Sequence, residues 1–182
     1  MKISIGPYKD DDTPRKEEIH IHDYDTWNMD HTLAMIILPM LKQLKETKHG
    51  VPVIDYEDMP EHLQYISRKY DQRARTDIVD QLQPIEYDDL SEHEFQRQIK
   101  CWNWIMDEMI WAFEQILDDD NDKQFFSGVS DIYWKELENG MSEMKHGPND
   151  TFQIDREGLA KHNKRIGNGL TLFGKYYRSL WD

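Results

Sequence analysis

Between residues 91 and 120 the apolar positions recur at helical spacing, and they do so on two sides of the same helix. At roughly 100° per residue, Phe95, Ile99, Trp102, Met106, Met109, Ile110, Phe113, Ile116 and Leu117 share one face. Trp104 and Trp111 stand opposite, among Lys100, Asp107 and Glu108. A surface helix needs one apolar stripe. The second predicts either a central position in the fold or two indoles offered outward. Ser91 and Glu94 have the spacing of a capping box, which predicts the start. Asp118, Asp119, Asp120 and Asp122 crowd the far end, where each negative charge is disfavoured by roughly 0.3 to 1 kcal/mol, so the helix is expected to stop near Leu117.

Ile3 and Ile5, then Ile19 and Ile21 beyond an acidic stretch, predict two short strands joined by a loop. From Thr26 the period changes. Leu33, Ile36, Ile37, Met40, Leu41 and Leu44 predict a first long helix stopped at Gly50 and bent at Pro39. Residues 51–60 read as a loop, residues 61–70 as a shorter helix, and the polar stretch 71–89 carries no decisive pattern. Strands are expected at 131–137 and 151–154, flanking a connection that holds Gly140, Gly147 and Pro148. A last helix carries Leu159, Ile166, Leu170, Phe173, Tyr177 and Leu180 on one face and Lys161, Lys164, Arg165 and Lys175 on the other. Gly167, Gly169 and Gly174 each lower helix propensity by roughly 1 kcal/mol relative to Ala, which predicts close backbone packing there. The whole reads as one mainly α domain over residues 1–182: three long packed helices with a small accessory β-sheet or hairpins.

Composition narrows the partners. A net charge of −14 repels phosphates and anionic lipid, so direct nucleic-acid or membrane binding is not expected, and basic proteins or cations are favoured. The same charge also serves solubility alone. The single cysteine, Cys101, sits mid-helix as a small apolar residue suited to a reducing compartment. No run is long enough to span a bilayer, and the opening residues lack the apolar core of a signal peptide, which together predict a cytosolic protein.

The segments WNMDHTLA, PMLKQLK, WNWIMDEMIWAFE, HGPNDT and LFGKYYRSLWD resemble a family of small acidic proteins of tailed bacteriophages. The resemblance brings no catalytic residue or cofactor. It implies a viral protein made in the cytoplasm of an infected bacterial host, in a binding role toward a host or phage protein.

Several constellations carry candidate chemistry. His20 and His22 point to one face of a strand, and with Asp30 they form a candidate divalent-metal set; surface histidines beside solvated acids explain the same letters. His146 and Asp150 suit an acid–base pair, or simply a turn built on Gly147, Pro148 and Asn149. The run from Asp118 to Asp122 fails as a calcium loop, because Lys123 and Val129 occupy the required glycine and glutamate positions. Phosphate-binding and hydrolase fingerprints are absent from the sequence. Trp104, Trp111, Asp107, Glu108, Tyr176, Tyr177 and Trp181 form the candidate binding surface, being residue types that make interface hot spots; any of the aromatics serves equally as core. The expectation is a non-enzymatic accessory protein acting by protein contact without a cofactor, with DNA mimicry as one version. The alternatives are a small-ligand or metal-binding protein and a virion component.

Overall fold

A computed structural model describes residues 1–6, 13–61, 63 and 92–181. The chain is mainly helical with small antiparallel sheets. Its helices are α1 (Met29–Thr47), α2 (Glu92–Leu117) and α3 (Arg156–Tyr176). The strands pair two by two: β1 (Lys2–Ile5) with β2 (Glu17–His20), β3 (Phe126–Ser127) with β6 (Gln153–Ile154), and β4 (Ile132–Glu136) with β5 (Ser142–His146). The expected cap at Ser91 and the segments at 64–70 and 71–89 lie outside the described residues.

α2 is the centre, packed against both α1 and α3. Lys42 reaches Glu114 at 2.6 Å and Lys45 pairs with Asp107, so α1 runs antiparallel to α2. Arg165 pairs with Glu108 and Tyr176 packs edge-on against Trp102, so α3 is antiparallel to α2 as well. The outer helices therefore run parallel to each other, and their C-terminal ends lie at the same end of the molecule. Cys101, Trp102, Ile105, Met106, Glu108, Met109, Ile110, Ala112 and Phe113 are all buried, an arc wider than half of the α2 circumference. Each large apolar side chain so covered contributes roughly 1.5 to 3 kcal/mol. Of the two positions open to a doubly striped helix, α2 takes the central one.

α3 departs from expectation. Its buried residues are His162, Gly169, Leu172 and Tyr176, a face displaced by roughly 80° from the predicted stripe. The cause is Gly169. A β-carbon there would stand 2.5 Å from the Ala112 methyl and 2.6 Å from the Glu108 carbonyl oxygen, so the glycine lets the two backbones meet. Gly167 and Gly174 have nothing within 4 Å of such an atom, and close packing does not account for them. With the contact set at Gly169, Arg165 reaches from the surface to Glu108 while Leu170 and Tyr177 stay exposed.

The two expected strands do not pair with each other. The segment 131–137 pairs with Ser142–His146, and 153–154 pairs instead with 126–127. What was expected to be a connection holds a strand. α1 continues through Pro39, which faces solvent. Among the described residues, large apolar side chains left exposed outnumber those that are buried, and they include Ile3, Ile5, Ile19, Trp27 and Trp134 on or beside the hairpins.

Candidate functional site, an apolar groove between the outer helices

Because α1 and α3 flank α2, a valley remains between them. The α1 stripe divides there: Ala34 and Leu41 are buried, while Leu33 and Met40 remain exposed. Ile37, Met40 and Leu44 face Phe173, Tyr177 and Leu180 across a groove of about 580 Å³. Gln43 and Thr47 supply its polar side chains, together with the Tyr177 hydroxyl. Met40 is 66% exposed and Tyr177 63%, and Trp181, just beyond Leu180, is 70% exposed. The displaced α3 face creates this site, since the stripe expected to be core becomes a groove wall.

Below the groove a polar clasp fixes the chain. The Tyr176 hydroxyl donates to Asp58 at 2.6 Å and accepts from the Asp55 backbone amide at 3.0 Å. Lys175 reaches Asp55 at 2.6 Å and Asp58 at 2.7 Å. Burial, then the Asp58 carboxylate, push the Tyr176 hydroxyl well above its ordinary range. Burial opposes the charge on Lys175, but its two carboxylate partners outweigh it and raise its pKa. Sequence reasoning missed Asp55 and Asp58 because a proline-flanked loop carries no periodicity. Their only signal was two acids placed around a 3-10 turn.

The predicted surface residues separate into two groups. Tyr177 and Trp181 are exposed at the groove, and Asp107 is exposed but paired with Lys45. Trp104 is half-buried against the core. Glu108, Trp111 and Tyr176 are engaged inside the chain. The Arg165 guanidinium lies 3.9 Å from the Trp111 ring centre and binds Glu108 through two hydrogen bonds, which raises the arginine pKa further. His162, not singled out from the sequence, is buried between Trp111 and Phe125, with its Nε2 3.2 Å from the Asn121 side-chain oxygen.

The candidate metal residues are not brought together. His20 is exposed on β2, 3.9 Å from Glu18. His22 stacks on Tyr24, and its Nδ1 accepts from the Tyr24 amide at 3.4 Å, capping a 3-10 turn. Asp30 lies in the first turn of α1. Among the described residues no group of three or more His, Cys, Asp or Glu side chains is arranged around a common point. His146 and Asp150 do meet, Nδ1 to carboxylate, on the exposed β5 hairpin. The Asp131 backbone amide first, then His146, hold the Asp150 carboxyl below the usual range. Asp131 in turn accepts from the Asn149 amide at 3.1 Å, so this cluster braces the turn.

No helix among the described residues is long and apolar enough to cross a membrane. Comparison with protein-family models, with curated proteins and with solved structures finds no match to this chain.

Proposed function

We propose that this is a non-enzymatic bacteriophage accessory protein that acts by binding a basic host or phage protein in the cytoplasm of the infected cell. Three long helices packed by their apolar faces form its scaffold. The observation that carries the reading is the open groove, where Met40, Tyr177 and the neighbouring Trp181 offer apolar and aromatic area to solvent on a chain of net charge −14. Such a combination suits a partner that supplies an apolar anchor and a positive rim. DNA mimicry is the version in which the surface carboxylates stand in for phosphates. The viral assignment rests on the resemblance of the quoted segments alone.

The test is capture by the tagged full chain from phage-infected bacteria, with mass spectrometry of what is retained. The proposal expects a stoichiometric basic protein whose binding weakens steeply with salt. Retention of no stoichiometric protein, or binding indifferent to salt, contradicts it.

A small apolar ligand is the second reading, since the groove volume falls within the range of roughly 300 to 1,000 Å³ of small-molecule sites. Native mass spectrometry separates the two: a co-purifying small molecule that protects the chain against heat favours the ligand.

A further inference from the structure

A second pocket, of about 490 Å³, lies between α2, the 3-10 turn at Lys123–Phe125 and the first half of α3. Trp111 and Phe125 give it aromatic walls, and His162, packed against both rings, holds them in place. Gln115, Gln124, Lys161 and Arg165 supply the other polar side chains, and none of the lining residues is an acid. On a chain of net charge −14 such a lining is an exception. The more distant carboxylates act on it weakly, because salt at physiological strength screens charges beyond roughly 8 Å.

Arg165 decides what the pocket can hold. A guanidinium presents five N–H donors in one plane, enough for more than one two-pronged contact. Glu108 takes only the pair made by Nε and Nη2, and the guanidinium lies 3.9 Å from the Trp111 ring centre. Its orientation is thereby fixed. Nη1 and the second N–H of Nη2 meet no acceptor among the described residues, and this open fork matches the two oxygens of a carboxylate or phosphate. Lys161 stands one turn earlier on the same helix face. Its partner Glu157 is 2.7 Å away, but the two side chains are 74% and 80% exposed, so water competes for the pair and the ammonium is free to turn to a better-placed anion.

We propose that this pocket binds a small aromatic molecule carrying a carboxylate or phosphate. The oxyanion occupies the open fork of Arg165 and meets the Lys161 ammonium, while the ring lies against Phe125 between the Gln115 and Gln124 amides. The volume falls within the range of roughly 300 to 1,000 Å³ of small-molecule sites. The site shares no residue with the groove, and neither depends on the other.

The test is NMR of the full chain with 15N-labelled tryptophan, in which the Trp111 indole signal is identified by its loss in Trp111→Phe. Benzoate and phenyl phosphate are the probes, with phenol and inorganic phosphate as controls. The Trp111 signal is expected to move saturably with a probe, while those of the buried Trp102 and of Trp181 stay in place. Each control is expected to bind at least tenfold more weakly than the better probe, whose identity names the oxyanion. Lys161→Glu, at an exposed position, is expected to weaken binding at least tenfold, and Lys164→Glu, the same change of charge outside the pocket, less than twofold. Arg165→Lys keeps the charge but loses the fork, and at a temperature where it is folded it is expected to bind at least tenfold more weakly. No saturable Trp111 shift with either probe, a control that binds as well as the probes, equal effects of Lys161→Glu and Lys164→Glu, or full affinity in Arg165→Lys overturns the proposal.

Discussion

Arg165 holds Glu108 through two hydrogen bonds, 3.0 Å from Nε and 2.7 Å from the terminal nitrogen, and so ties α3 to α2 one residue along from the Asp107 contact with α1, roughly 100° around the helix. The carboxylate is nearly covered, its side chain 11% exposed, while that of the arginine is 49% exposed. Removing the cation strands a buried charge; removing both partners does not.

Arg165→Met is therefore expected to lower stability by about 1 to 2 kcal/mol, less than the roughly 3 to 5 of a fully buried pair because water screens the arginine. Glu108→Gln combined with Arg165→Met should unfold at a higher temperature than Arg165→Met alone. Thermal unfolding of the single and double variants checks this, and a double variant weaker than the single contradicts it.

The three helical glycines should separate cleanly. Gly169→Ala forces a methyl into the Ala112 contact and the Glu108 carbonyl, and a loss of about 1 to 3 kcal/mol is expected. Gly167→Ala and Gly174→Ala meet nothing, and each should gain up to about 1 kcal/mol from helix propensity. Urea unfolding of the three variants gives the comparison; a tolerated Gly169→Ala removes the reason given for the orientation of α3.

The clasp predicts a loss of stability in alkali. Tyr176 and Lys175 have folded-state pKa values above their ordinary 10.0 and 10.5, so the folded chain binds more protons than the unfolded chain once pH exceeds about 10. Their contribution is complete below pH 10 and declines as pH rises toward the folded values. Tyr176→Phe should cost about 1 kcal/mol at neutral pH, through the lost hydrogen bonds, and should show a shallower decline above pH 10. Parallel pH–stability curves for the two proteins would remove Tyr176 from this role.

On the acid side, Asp150 has a folded pKa below the ordinary 3.8, so its contribution is present above that value and is lost as pH falls through the folded one. The β4–β5 hairpin should lose amide protection below about pH 4, and Asp150→Asn should lack that protection already at pH 6. Hydrogen exchange at Ile132 and His146 reads this directly.

The end of α2 was legible because apolar spacing and charge agree there: the aspartates after Leu117 end the helix where its dipole disfavours them, whereas α1 stops at Thr47, short of the expected Gly50. The face that α3 buries was not legible. A period locates apolar residues, whereas the closest approach is set by the absence of a side chain at Gly169, and Arg165 packs its guanidinium against Trp111 despite its charge. β5 was hidden because SEMKH contains no β-branched residue and no Phe, Tyr or Trp. The Asn139-Gly140 pair, which suits tight hairpins, was passed over in the sequence, and Gly140 adopts a positive φ of 77° there. Tyr177 and Trp181 were singled out by residue type, and both stand exposed, Tyr177 on the groove wall and Trp181 just beyond it. The groove was not, since it arises from the offset between the stripe and the buried face.

The most direct measurement is the affinity of the full chain for the basic protein that the proposal expects it to retain from infected cells, compared with that of the Met40→Glu, Tyr177→Glu double variant at matched ionic strength. We predict at least a hundredfold loss with an unchanged melting temperature. Equal affinity of the two proteins would place recognition elsewhere and contradict the account.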